Sequence, residues 1–176
     1  MEFCILKKEE QQKIYAAAYE LLEKADGEFV PPLSCRKSST QQGFLNSAQN
    51  DDGINRYFEE LKKQRFAAAF QNGELIAFVS FKENYVCAEI PKSELPNIYI
   101  STLVVSPKAR GMGVTKALYS KLFSEYEKMN VFTRTWSTNI AHIKILERFG
   151  FFVTKVLKND RGNQIDTVYF KKQKNS

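Results

Sequence analysis

The period of the apolar residues changes several times along the chain, and each change marks an element. Residues 3–6 form a short apolar run that reads as a first strand. Between residues 9 and 24, Ile14, Ala17, Ala18, Leu21 and Leu22 recur at helical spacing and predict an amphipathic helix. A loop rich in turn formers follows, from Asp26-Gly27 through Pro31-Pro32 to Ser38-Ser39-Thr40. Ile54, Tyr57, Phe58 and Leu61 then predict a second helix, from about Asp51 to Lys63. Two apolar runs, 66–70 and 74–81, flank Asn72-Gly73, the pair that favours a type I′ hairpin. Pro91 and Pro96 bracket a loop, and the β-branched run 98–105 reads as a central strand. A helix after Gly113, a strand at 131–136, a helix after Asn139 and a hairpin of 151–157 with 164–170 complete the order, before a polar tail. Strand, two helices, three strands, helix, strand, helix, two strands: the class is α/β (α+β), with no internal repeat.

Composition adds bounds. A chain of 176 residues, 43% hydrophobic with 14 Phe, has the size of one domain with an ample core. We expect one domain over 1–176, with N-terminal helices and a loop in 1–64, central strands in 65–130, and a further motif and hairpin in 131–171. No run of 18 apolar residues exists, so no membrane partner is expected. The first ten residues turn charged too early for a signal peptide. Cys4, Cys35 and Cys87 have no metal-ligand spacing, so no metal is expected, and reduced thiols fit a cytoplasmic protein. The net charge of +6 suits a partner with several phosphates. Basic residues alternate with acidic ones instead of forming a stripe with aromatics, which argues against nucleic acid.

The most informative stretch is 103–118. Leu103, Val104 and Val105 end the central strand, and Arg110, Gly111, Met112, Gly113, Val114 and Thr115 lead into a helix. Backbone amides at a helix start, opened by glycines and flanked by an arginine, form a site for phosphate oxygens. A dinucleotide fingerprint would need a third glycine where Lys116 stands, and a Walker loop would need Gly-Lys-Ser/Thr, which is absent. The remaining pattern resembles the acyl-coenzyme A loop of the GCN5-related N-acetyltransferases (GNAT), Q/R-x-x-G-x-G/A. Arg110 and Gly113 fill it, and Thr115 stands where the family has Gly or Ala. A second stretch, from Asn139 to Phe151, resembles the family's N-x-x-A-x-x-L-Y-x-K-x-G-F, with Asn139, Arg148 for Lys, and Gly150-Phe151 in register. Asn139 is a good N-cap, Ile143, Leu146 and Phe149 share one helical face, and Gly150 is a natural stop.

The resemblance implies a GNAT fold: a mixed sheet of about six to seven strands with a splayed parallel pair, 98–105 and 131–136, flanked by about four helices. It implies acetyl-CoA or another acyl-CoA as co-substrate. Leu103, Val104 and Val105 would line its arm, residues 110 to 115 its pyrophosphate, and Asn139, Leu146 and Arg148 the second motif's contribution. The implied reaction is transfer of an acetyl group to a primary amine of a small molecule or peptide by direct attack in a ternary complex. Departures from the pattern also leave room for a non-catalytic acyl-CoA binding or sensing domain. The family's acidic tyrosine would fall at Leu146, and no Glu stands on the central strand. Ser137 and His142 are therefore candidate proton donors, and Glu83 a candidate base, with Glu89 or Glu94 as further carboxylates. Phe29, Leu33, Arg36 and Tyr99 are candidates for the acceptor side, where apolar residues beside Arg36 suit a substrate with a hydrophobic part and a carboxylate. A homodimer is left open.

Overall fold

A computed structural model describes residues 1–41, 43–44 and 53–175. Strands β1 (Glu2–Ile5), β2 (Arg65–Gln71), β3 (Glu74–Glu83), β4 (Asn97–Val105), β5 (Asn130–Trp136), β6 (Phe152–Leu157) and β7 (Thr167–Lys172) form one sheet in the order β1-β2-β3-β4-β5-β7-β6. Only β4 and β5 run parallel; every other neighbouring pair is antiparallel. The helices are α1 (Lys8–Gln11), α2 (Tyr15–Ala25), α3 (Gly53–Lys62), α4 (Val114–Glu125) and α5 (Ile140–Arg148).

Period-two alternation explains why the sheet carries a core on each face. Phe66, Ala68 and Phe78 point to one side and pack with Ala18, Leu22, Tyr57, Phe58 and Leu61 of α2 and α3. Ala67, Ala69, Ala77 and Val79 point to the other and pack with Leu118, Tyr119 and Leu122 of α4 and Leu146 of α5. The alanine patch lets α4 lie close to β1, β2 and β3. A smaller cluster of Ile90, Tyr99 and Phe132 sits beside them.

Several expected boundaries move for local reasons. The helix expected over 9–24 is two helices joined by a 3-10 turn, Gln12–Ile14. Turned to satisfy both ends, the amide of the buried Gln11 donates to the Gln64 carbonyl (3.2 Å) and accepts from the Phe66 amide (3.0 Å). The Asn72-Gly73 turn has positive φ at both residues, as a type I′ hairpin requires. Strand β7 starts at Thr167, later than expected, because Asn159 and Gln164 both take positive φ. The Asp166 carboxylate accepts from the Asn159 amide (2.9 Å) and widens that turn. Helix α5 ends in a Schellman arrangement: the Gly150 amide donates to the Glu147 carbonyl (2.9 Å) and the Phe151 amide to the Leu146 carbonyl (3.1 Å). The expected helix start at Asp51, Gln42 and the loop stretch 45–50 lie outside the described residues.

Candidate active site

The parallel β4–β5 ladder pairs Asn97 with Asn130 and continues only to Ile100 opposite Thr133. There the Thr133 hydroxyl donates to the Ile100 carbonyl (3.0 Å), and beyond it the strands part. The cause lies on the opposite edge of β4. Its register with β3 slips between Ser80 and Phe81, so that Ser101 is an extra residue without a pairing partner on β3. A bulge bends and twists the strand that carries it. The side chain of Ser101 is held between Ser80 (2.9 Å) and Gln64 (2.5 Å), which fixes the bulge. The result is a cleft of about 300 Å³, walled by residues 100–105 of β4 and 133–136 of β5.

At one mouth of the cleft stands the start of α4. Gly113 caps it with φ +77, and Gly111, Met112 and Gly113 are exposed. Added Cβ atoms at Gly111 and Gly113 would meet nothing within 4 Å, so their surface is open to an approaching anion. No side chain among the described residues caps the start of α4. Arg110 Nη2 meets both carboxylate oxygens of Glu28 (2.7 and 2.8 Å) and the Val105 carbonyl (3.4 Å). Val105 thus turns its carbonyl to the cleft, and alternation gives Leu103 the same edge. Arg110 and Glu28 are half-exposed, so their pair is weak and readily exchanged for another anion.

Helix α5 lines the cleft with Ala141, His142 and Ile145. The Asn139 side chain accepts from the His142 amide (3.4 Å) and donates to Thr135 (3.0 Å), which locks the helix start to β5. His142 Nε2 is 2.8 Å from the hydroxyl of Tyr119. Burial pushes the His142 imidazole down to about 4, so it is neutral at physiological pH. Burial also raises the Tyr119 phenol.

Three further arginines line the cavity: Arg36 from the loop after α2, Arg134 on β5 and Arg161 from the turn before β7. All three stack on the ring of Phe44, at 5.3, 5.2 and 4.5 Å from its centre. Burial lowers the Arg36 guanidinium, and burial together with Arg36 and Arg134 pushes Arg161 down to about 9. Among the described residues, no group of three His, Cys, Asp or Glu side chains is placed to hold a metal ion.

The expected site residues divide by position. Leu103, Val104, Val105, Arg110, Thr115, Asn139, His142, Phe29 and Arg36 line the cleft. Several others do not. Leu146 is fully buried on the core face of α5, one residue past the cleft-lining Ile145, because it packs under Phe151 and α4. Arg148 is exposed and borders a separate groove with Phe123 and Tyr126. Leu33 is buried with Leu22 and Tyr57, and Tyr99 with Ile90 and Phe132. Ser137 is bound into the sheet's end: its oxygen accepts from the Asp166 amide (3.0 Å) and its amide donates to the Asp166 carbonyl (3.0 Å). Glu83 is opposite Ile98, at the paired end of β4 away from the splay, and is tied to Arg65 (3.0 Å) and Tyr126 (2.6 Å). Glu94 is similarly held by Lys171 (2.6 Å). Arg134 and Arg161 escaped the sequence reading. A long charged side chain in the middle of a central strand, between Thr133 and Thr135, was a usable signal for Arg134; Arg161 sits in a turn, where a charge is ordinary.

A family model described as the acetyltransferase (GNAT) family matches residues 33–151. The chain belongs to the GNAT family. No curated protein matches this GNAT chain in sequence. Its fold is similar to that of yncA from Salmonella typhimurium, solved with its cofactor acetyl-CoA (TM-score 0.66, 18% identity, 100% of this chain and 95% of that one). It is also similar to the ribosomal-protein-S18-alanine N-acetyltransferase of Escherichia coli (TM-score 0.62, 15% identity, 97% and 91% covered). An N-acetyltransferase from Staphylococcus aureus Mu50 aligns comparably (TM-score 0.60, 17% identity, 98% and 97% covered). The likeness of this GNAT chain to them is one of fold.

Proposed function

We propose that the protein is an acetyl-CoA-dependent N-acetyltransferase acting on a primary amine. The observation that carries this reading is the coincidence of three features in one cavity: a parallel ladder that stops at Ile100, a free strand edge beyond it, and an uncapped helix start beside Arg110. The exposed amides of residues 111–113 and the Arg110 guanidinium suit a pyrophosphate, and the cleft edge of Leu103 and Val105 suits an amide-bearing arm, as in strand addition. Acetyl-CoA supplies an activated thioester: its C–S bond breaks as the acceptor's N–C bond forms, and one proton leaves the nitrogen.

This chain's residues then bind, orient and manage that proton. A backbone amide on the cleft edge of β4 would stabilise the developing oxyanion, a contribution of roughly 2.7–4 kcal/mol in comparable sites. The neutral His142 is a weak base and no store of acidic protons at neutral pH. Among the described residues, Glu28 is the carboxylate that borders the cavity, and it is engaged by Arg110. Water at the cleft mouth therefore fits better than a dedicated side chain, both to take the amine's proton and to supply one to the leaving thiolate. Three cysteines left as free thiols are compatible with a cytoplasmic setting.

Two measurements test the reading. Acetyl-CoA at saturating concentration should raise Tm, because a ligand that binds only the native state stabilises it. Arg110→Ala should weaken that binding by about 1.5–3 kcal/mol, the range for a lost charge-assisted hydrogen bond. Release of free thiol from acetyl-CoA with an amine panel then separates enzyme from binding domain: a Tm shift with no release for any amine would sink the enzymatic reading.

A further inference from the structure

The three arginines on the Phe44 ring do not belong to the phosphate-binding mouth, and their surroundings are unusual. Arg36 and Arg161 are 5% and 7% exposed, yet no ion pair of the described residues includes either of them or Arg134. Arg36 donates to the carbonyls of Pro31 (3.0 Å) and Val30 (3.3 Å). Arg161 donates to the Val30 carbonyl (2.6 Å) and the Thr167 hydroxyl (2.9 Å), and Arg134 to the Tyr169 hydroxyl (3.0 Å) and the Gln41 carbonyl. Every one of these acceptors is neutral. The nearest compensation is indirect: Thr167 passes its own hydrogen bond on to Asp160 (2.5 Å).

Three guanidiniums packed around one ring repel one another, and burial removes the water that would screen them. A fold tolerates such a group when an anion completes it. The cavity they line is the acetyl-transfer cleft itself, so the anion arrives there with a substrate. Phosphates of the co-substrate already have their own receptor at Arg110 and the start of α4, built from different segments. The planar forks of guanidiniums match a carboxylate bidentately. Phe29 and Trp136, 5.8 Å apart at the same wall, add an apolar surface beside the charge.

We propose that the acceptor is a small amine that itself carries a carboxylate, of the amino-acid class, with the carboxylate seated on Arg36, Arg134 and Arg161. This rests on the acetyltransferase reading above. The same arginines are positioned to hold the acceptor's apolar part against Phe29 and Trp136, while excluding polyamines by like-charge repulsion.

The test uses thiol release from acetyl-CoA with a panel of L-amino acids, their carboxamides, 2-aminoethylphosphonate and spermidine. The carboxamide has the less basic amine, so simple amine reactivity favours it over the acid. The acids should nonetheless exceed their carboxamides in kcat/KM by at least about tenfold, through KM. Arg134→Gln and Arg161→Gln should remove most of that advantage, lowering kcat/KM for the acid by a clearly larger factor than for the carboxamide; a purely structural role would lower both alike. Both variants should keep the Tm shift with acetyl-CoA, which shows that they fold and that the triad is not the phosphate site. Equal turnover of acids and carboxamides, preference for spermidine, or loss of the acetyl-CoA shift in the variants overturns this proposal alone. Preference for the phosphonate over every amino acid replaces the carboxylate with another oxyanion and overturns it as stated. A Tm shift without thiol release from any amine overturns the acetyltransferase reading and this proposal with it.

Discussion

His142 shows how one side chain's surroundings decide both its chemistry and its effect on stability. Its imidazole is held at about 4 by burial, against 6.5 when free, so the unfolded chain takes up the proton first on acidification. Its contribution is therefore intact above pH 6.5 and is lost as pH falls from 6.5 towards 4. Between pH 6.5 and about pH 5 the loss should reach about 1.5 kcal/mol, less to the extent that the half-buried ring stays hydrated. His142→Gln should flatten Tm against pH in that interval; an unchanged slope would show that the imidazole titrates normally in the fold. At this scale the sequence was legible where the chemistry is local. Gly113 and Asn139 act through their own neighbours in the chain: Gly113 starts α4 beside the cleft mouth, and Asn139 starts α5 on the cleft wall. Leu146 and Ile145 differ by one position on a helix, which is the difference between core and cleft; the apolar face shared by Ile143, Leu146 and Phe149 already marked Leu146 as core, while the family motif pointed to the site. Arg161 reaches the cavity only because the turn before β7 folds onto Val30, a contact across more than a hundred residues.

Elements depend on positions that a sequence marks ambiguously. Glycine is an example. Gly53 opens α3, and an added Cβ would lie 1.7 Å from the Ser34 carbonyl oxygen, so helix and loop meet backbone to backbone. Gly27, in the 3-10 turn Asp26–Glu28, has no atom within 4 Å of its would-be Cβ and an ordinary φ. Gly53→Ala should cost about 1–3 kcal/mol, as overpacking does, and lower Tm by several degrees, whereas Gly27→Ala should be neutral or slightly stabilising. Equal effects from both would mean that α3 can slide away from the loop without penalty. The helices and the Asn72-Gly73 hairpin were visible because apolar period and turn chemistry coincide there. The bulge at Ser101 was not, although the cleft depends on it. Ser101 and Thr102 are both small and polar, so an inserted residue leaves no break in the pattern; only the pairing with β3 reveals it.

The whole molecule is a wall between two cores, and the mixed sheet with its splayed parallel pair followed from the order of elements together with the family resemblance. What the sequence left open was the acceptor side, because it is assembled from three distant pieces: the loop after α2, β5 and the turn before β7. Those pieces are knitted by single contacts, such as the Phe44 amide on the Asp160 carbonyl (3.2 Å). The parted strands have one more consequence. A sheet interrupted at Ile100 keeps backbone groups of β4 on an open lip, while the same strand's other edge stays bonded to β3 as far as Val105. Amide hydrogens within a single strand should therefore exchange with solvent at alternating rates: slowly where they face β3, quickly at Leu103 and Val105 where they face the gap. Adding acetyl-CoA should slow the fast set and leave its neighbours at Thr102 and Val104 nearly unchanged. Hydrogen–deuterium exchange followed residue by residue by NMR would read this as every second amide gaining protection, the signature of a ligand that takes the place of a strand. Uniform slowing along the strand would instead mean a general stiffening of the sheet.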